Sequence, residues 1–447
     1  MPFISLPSLD DCFYARKGVE MWRSGSVFAV TWNGERTAQH PPLQFWILAR
    51  SFALFGENDF AARLPSVLMA LGVLVFAYRI GIRSVGEPAA LCGVSLLLLS
   101  TTFIRNARGC MMDVPLTFWI SMAVLVLIVG MERPRVQWLL AVPIAAGVLT
   151  KSVLGLMPLL VLAACLASRT LRSRVFTYRT AIATVIGVAL GASWTIYLAV
   201  AHGSGGVGEH YITEVIRRST QNASPVVNFF LEYPRLLLVH FQPVIVPGLV
   251  GAVLLYRRWL FGRAPDAALA VVAWIAVPLA LYNFSSARSS RYLFPILVPL
   301  SLCAGAVLAS RRPRVAGALA RWIVPALLVA SAAVHWVAPG LLSRDANREF
   351  KQRSAAIGAA IPEDCETPCL GEFSWELASP FLYYGHRSVG VCDVRADTIV
   401  PLALAGPTRA LLCERARLGE LSRFGVEVEE VARLRKWSLV RLKLRNG

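Results

Sequence analysis

Runs of about 20 apolar residues recur along this chain, and a stretch of that length is what an α-helix needs to cross the hydrocarbon core of a bilayer. Ten candidate spans are read, at 64 to 82, 86 to 104, 112 to 131, 137 to 150, 154 to 168, 180 to 202, 239 to 256, 266 to 284, 292 to 310 and 315 to 339. The fourth and fifth are short and separated by Lys151, so they read equally as one kinked hairpin dipping into the membrane. Composition agrees. Of the 447 residues, 56% are hydrophobic and 16% charged. A typical soluble protein has about 25% charged residues, so this chain has too few polar side chains to coat soluble domains. The expected fold class is an all-α polytopic membrane protein.

The chain has 45 basic and 27 acidic residues, a formal net charge of +18. In a soluble protein this would suggest nucleic acid. Here the excess sits in short loops, so no nucleic-acid partner is expected. Alternate connections carry Arg79 and Arg83; Arg133 and Arg135; Arg169, Arg172, Arg174 and Arg179; Arg257, Arg258 and Arg263; and Arg311, Arg312 and Arg314. The positive-inside rule puts these in the cytoplasm. The remaining segments then share the outer face: 1 to 60, 105 to 111, the Lys151 turn, 203 to 238, 285 to 291, and everything after about 340. An outward Met1 with no preceding span predicts that a first transmembrane helix is missing from this start. Past about Ser343 mixed charge and short alternating runs read as a small α/β domain. Three parts are expected: a first outer loop with interfacial helices over 1–63, a helical bundle over 64–342, and a soluble α/β domain over 343–447.

The outer segments hold the residues with chemistry. Asp10 and Asp11 open an amphipathic helix whose Tyr14, Met21 and Trp22 share a side. Asp11 fits a capping box with Ser8, which leaves Asp10 as a group that can accept a proton or bind a metal. Trp32-Asn33-Gly34 is a turn signal. Gln39 and His40 precede Pro41-Pro42, a rigid corner and helix start; His40 reads as either a surface or a site residue. Arg63 is placed to pair with Asp59 at i,i+4. Asp113, at the membrane edge after Arg105 and Arg108, needs either a salt bridge to Arg108 or a site role. Lys151 either snorkels or serves the site. Arg217, Arg218, Arg288 and Arg291 break the positive-inside bias, and their guanidiniums suit either lipid headgroups or a bound phosphate. Cys365, Cys369, Cys392 and Cys413 gather in the tail, open to free thiols, a disulfide or metal.

In this order the motifs resemble those of the GT-C membrane glycosyltransferases that use polyprenyl-phosphate sugars, the family 39/83 group of aminoarabinose transferases and protein O-mannosyltransferases. The residues that carry the resemblance are Asp10-Asp11-Cys12-Phe13-Tyr14-Ala15, like D-E-x-x-Y-A, and Asn33-Gly34 followed by Pro41-Pro42-Leu43-Gln44-Phe45-Trp46. Phe55-Gly56 through Arg63-Leu64-Pro65, Asp113, Leu149-Thr150-Lys151 and Arg291-Tyr292-Leu293-Phe294-Pro295 continue it. The resemblance implies a GT-C fold and sugar transfer from undecaprenyl phosphate to a lipid, glycan or protein acceptor, as in lipid A modification or protein glycosylation, outside a bacterial inner membrane. It implies Asp10 and Asp113 as catalytic residues, Lys151, Arg288, Arg291 and His40 as the donor-phosphate site, and Asp11, Tyr14, Arg217 and Arg218 in support. Before P-P-L the aminoarabinose transferases carry Glu and Lys, the Glu a metal ligand; here stand Gln39 and His40. A divalent metal ion is the cofactor the resemblance raises, with Asp10, Gln39 and His40 as candidate ligands, Gln39 a neutral and weak one. Two other readings of the chain are a multispan lipid or solute transporter, which should bury ionisable groups near the midplane, and an inactive scaffold of the same fold.

Overall fold

The computed structural model describes residues 5–6, 9–166, 168–208, 210–212, 234–283, 291–323, 325–326, 329–330, 351–352, 369–370, 375–386, 390–391, 411–434 and 437–444. The N-terminal segment forms helix α1 (Leu9–Ser24), a two-stranded hairpin β1 (Thr31–Trp32) and β2 (Glu35–Arg36), and helix α2 (Leu43–Phe55). The hairpin turns on Asn33 and Gly34, both at positive φ, as that dipeptide's turn chemistry predicts. Pro42 caps α2 at its start and Gly56, at φ +76°, ends it. The Asn58 side chain then accepts from Ala61 N and opens the long helix α3 (Asp59–Ser84).

The bundle continues through α4 (Glu87–Leu99), α5 (Thr101–Ala107) and α6 (Asp113–Glu132), then α7 (Ala141–Lys151), α8 (Met157–Leu166), α9 (Arg169–Val175), α10 (Tyr178–Gly191) and α11 (Ser193–Gly208). Helices Ile245–Leu260, Ala267–Asn283 and Leu297–Arg311 complete it. Glycines let these helices approach closely, as is usual where no hydrophobic drive separates helix from lipid. A Cβ on Gly251 would lie 2.2 Å from the Cys303 carbonyl oxygen, and one on Gly305 2.4 Å from that of Ala89. Outward-facing positions such as Leu68, Leu71, Val75, Val185, Leu190 and Val253 are exposed and apolar, the surface a lipid-facing helix needs.

Among the described residues five helical runs are long and apolar enough to span a bilayer, or up to seven if each of two bent pairs is one span. The sequence reading gave ten. The two candidates around Lys151 form one apolar run, Pro134–Leu166; Ala267–Asn283 is shorter than a span; and 315 to 339 falls largely outside the described residues. The Pro134–Leu166 run breaks at Ser152, where φ is +48° and ψ −126°. A Cβ on Gly155 would lie 2.0 Å from the carbonyl carbon of Gly147. In a straight helix eight residues would separate those two by about 12 Å, so the chain doubles back and Lys151 stands at the turn.

The tail carries a five-stranded mixed sheet in the order β4-β3-β5-β7-β6, from β3 (Cys369–Leu370), β4 (Gly390–Val391), β5 (Leu411–Glu414), β6 (Val426–Leu434) and β7 (Trp437–Leu444). The β6–β7 hairpin bulges between Glu430 and Ala432. This is the small α/β element the sequence pattern predicts. Its helix Trp375–Tyr384 packs on α1, and Tyr383 and Tyr384 join the core of the first loop with Phe13, Phe45 and Phe52. Cys413 is buried in the sheet, while Cys365 and Cys392 lie outside the described residues.

Candidate active site

Every segment read as facing outward has a described residue bonded to another such segment. Asp11, 1% exposed, accepts from the Cys110 backbone N–H and so ties the first loop to 105–111; its expected capping partner Ser8 lies outside the described residues. Arg16 pairs with Glu20 at 2.7 Å and donates to the Leu382 carbonyl at 2.9 Å. Glu20 also accepts from Asn33 N and Gly34 N at 2.8 and 3.2 Å, which links the hairpin turn to the tail helix. Asp59 accepts from Lys351 Nζ at 2.7 Å and Tyr384 OH at 3.1 Å. Arg63 donates to the Ser5 carbonyl, so among the described residues this acid and this base bond to the tail and to the N-terminal segment rather than along the helix to each other.

Two ion pairs stand on this platform. Asp10 Oδ2 lies 2.6 Å from Arg291 NH1, each side chain nearly half exposed. Asp113 Oδ1 lies 2.7 Å from Lys151 Nζ; the carboxylate is 1% exposed and the ammonium 17%. The partner of Asp113 is therefore Lys151, not Arg108. Burial draws the Arg291 guanidinium down, but Asp10, by its hydrogen bond and charge, then Asp113 and Tyr14, outweigh that and raise it. Asp10 thus holds this guanidinium directly, while Asp113 and Tyr14 act on it through charge. Lys151 also lies 5.9 Å from the Tyr292 ring centre, a cation–π distance. Tyr14 OH approaches His40 Nε2 at 3.4 Å, with the rings edge to face at 5.2 Å. The candidate residues Arg217, Arg218 and Arg288 lie outside the described residues.

Each of the three candidate metal ligands is engaged by another side chain. Asp10 pairs with Arg291, His40 meets Tyr14, and Gln39 Oε1 accepts from Lys17 Nζ at 3.3 Å. An ammonium beside Gln39 disfavours a second cation there, and among the described residues no three His, Cys, Asp or Glu are grouped to hold a metal. The residues present do not fit a divalent ion. Burial first, then the Asp11 carboxylate, push the Cys12 and Cys110 thiols well above the usual range, so neither is a nucleophile.

Sequence reasoning missed two buried residues. Lys17 is fully buried, 4.0 Å from the Phe13 ring centre. Its signal was spacing: Asp10, Tyr14 and Lys17 follow at i, i+4 and i+7 on one helical face. His210, 2% exposed, bonds to the Ala38 carbonyl at 2.7 Å and to Ser152 Oγ at 2.9 Å; it stands in no motif.

This fold has known counterparts. A family model described as dolichyl-phosphate-mannose-protein mannosyltransferase matches residues 39–196. An undecaprenyl phosphate-alpha-4-amino-4-deoxy-L-arabinose arabinosyl transferase of Pseudomonas savastanoi pv. phaseolicola is 26% identical over 303 residues, 66% of this chain and 55% of that protein. An uncharacterized protein of Aquifex aeolicus is 30% identical over 149 residues, 33% of this chain and 30% of that protein. The matched region spans little more than half the length of the curated arabinosyl transferases. Among solved structures, ArnT from Cupriavidus metallidurans bound to undecaprenyl phosphate superposes with a TM-score of 0.73 at 18% identity, covering 98% of this chain and 94% of that one. An Archaeoglobus fulgidus oligosaccharyltransferase gives 0.57 at 12% identity, covering 98% and 69%. The fold is that of ArnT and, in broader outline, that of the oligosaccharyltransferase. In sequence the chain is similar, over part of its length, to the arabinosyl transferases and to the mannosyltransferase family model.

Proposed function

We propose that the protein is a glycosyltransferase that moves a sugar from a polyprenyl phosphate, undecaprenyl phosphate by its kinship, to a lipid, glycan or protein acceptor at the outer face of a bacterial inner membrane. The observation that carries this reading is the pairing of two acids with two bases, Asp10 with Arg291 and Asp113 with Lys151, at one end of an apolar bundle. A transporter would place such groups near the middle of the membrane; here they belong to the loops and helix ends.

The chemistry follows from the charges. Cleaving a sugar from a polyprenyl phosphate leaves a phosphate with growing negative charge, and Lys151 and Arg291 are the cations placed to receive it. One well-aimed donor is worth about 2.7–4 kcal/mol at such a site. Arg291 presents a planar fork suited to phosphate, and Asp10 holds it in place until donor arrives. Asp10, freed as Arg291 turns to the phosphate, accepts the proton of an acceptor hydroxyl, or positions an acceptor that is already anionic. His40 and Tyr14 supply further hydrogen bonds on the same side, and Asp11 supports them by fixing α1. Arg288, Arg217 and Arg218 extend the phosphate and acceptor site in this reading. The test is transfer of labelled sugar from synthetic undecaprenyl-phosphate donors in membranes holding the parent or Asp10→Asn. The parent transfers, and the variant loses on the order of 10²–10⁴ in rate. Full transfer by Asp10→Asn removes Asp10 from the mechanism, and no transfer by the parent with any donor favours the scaffold.

A further inference from the structure

We infer that His210 and Ser152 form a positioning pair that holds the Lys151 turn in the shape that presents its ammonium to the donor phosphate; this rests on the reading of Lys151 as a phosphate-binding group. The turn is unusual. Ser152 sits at φ +48° and ψ −126°, a conformation that side-chain-bearing residues rarely adopt and that persists only where the surroundings impose it. Lys151 itself has left the helical region, at φ −145° and ψ +38°. That departure brings Nζ onto Asp113 and under Tyr292.

What imposes the turn is the imidazole of His210. Its Nδ1 lies 2.7 Å from the Ala38 carbonyl oxygen, which can only accept, so Nδ1 carries the hydrogen. In the neutral ring Nε2 is then an acceptor, and the Ser152 hydroxyl donates to it at 2.9 Å. The ring is held edge-on by Trp194 and Tyr211, with centres 4.9 and 4.8 Å away. Ser152 is 7% exposed, so its hydroxyl has little water to turn to, and breaking the bond leaves a buried polar group. One imidazole thus joins the residue before Gln39 to the residue after Lys151. It locks two loops of the candidate site together without being placed against the reacting atoms.

The strain makes the proposal testable. Glycine accepts positive φ without help, so a glycine at 152 needs no clamp. Undecaprenyl phosphate binding to the full-length protein in nanodiscs is measured for the parent, His210→Ala, Ser152→Gly, the double variant and Lys151→Ala, with thermal unfolding recorded for each. His210→Ala is expected to weaken binding about tenfold in the parent background and by less than threefold in the Ser152→Gly background. Equal weakening in both backgrounds, or none in either while Lys151→Ala abolishes binding, overturns the clamp and leaves the phosphate reading standing. Parental binding by Lys151→Ala overturns the phosphate reading and the clamp's purpose with it. Should His210→Ala fail to fold, His210→Asn keeps a donor for the Ala38 carbonyl and drops the Ser152 contact. It is expected to give the same contrast between backgrounds.

Discussion

Replacing Lys151 by Met should destabilise the protein far more than replacing Asp113 by Asn, and removing both charges should restore most of the loss. Asp113 is 1% exposed, and its second carboxylate oxygen has no hydrogen-bond partner among the described residues. Lys151→Met leaves that carboxylate charged, out of water and uncompensated, which costs about 3–5 kcal/mol when a buried pair is broken this way. In Asp113→Asn the surviving ion is Lys151, 17% exposed on a flexible stem. Such a side chain can reach the water boundary, so the cost drops to about 1–3 kcal/mol. The double variant leaves no charge at this buried pair and, by the same balance of desolvation against attraction, lies within about 1–2 kcal/mol of the parent. Denaturant titration of detergent-solubilised protein measures the stabilities, and sugar transfer from labelled donor measures function. All three variants should lose transfer, so the double variant is expected to be stable and inactive. The reasoning is refuted if Lys151→Met is no less stable than Asp113→Asn, if the double variant is as unstable as Lys151→Met, or if a stable double variant transfers sugar normally.

Arg291→Gln should lower the transfer rate on the order of 10²–10³ yet shift stability by less than about 1 kcal/mol, because its pair with Asp10 is nearly half exposed; comparing melting with turnover on one preparation checks both. Gly155→Ala forces a Cβ onto the Gly147 backbone 2.0 Å away and should prevent recovery of folded protein, whereas Gly419→Ala, with nothing within 4 Å, should be recovered like the parent in size-exclusion chromatography. For Glu57, burial alone would raise the carboxyl, but the His386 hydrogen bond and charge and the Arg23 charge outweigh it and hold the group low. A depressed carboxyl stabilises above its unfolded pKa of about 4.3 and loses that contribution as pH falls through the folded value. Hydrogen-exchange protection factors of the Trp375–Tyr384 amides, taken against the intrinsic rate at each pH, should therefore fall below about pH 4 in the parent, and Glu57→Gln should flatten that dependence.

Much of this was legible in the sequence because local physics decides it. Apolar length marks the long membrane-type helices, although ten were expected against five to seven among the described residues; Asn33-Gly34 marks the hairpin and Pro41-Pro42 and Gly56 the ends of α2, and the alternation of basic loops groups the remaining segments together. That last rule is what gathers 1–60, 105–111, the Lys151 turn, 203–238, 285–291 and the tail, and the contacts of Asp11, His210, Arg291 and Lys351 join these segments. Pairing was not legible. A helix places Asp59 and Arg63 four residues apart, yet Asp59 bonds to Lys351, 292 residues away, and Asp113 to Lys151, 38 residues away, past the nearer Arg108. Sequence spacing reports neighbours along one helix, whereas a desolvated carboxylate takes the cation that the whole bundle can bring to it. The same distinction explains Lys17 and His210. Lys17 follows from helical period once Asp10 and Tyr14 are placed on one face. His210 acts through a carbonyl and a serine from two other loops, and no periodicity encodes that. Where several segments far apart in sequence meet, sequence can name the charged groups, while which acid holds which base is fixed only by the helix packing that sets loop against loop.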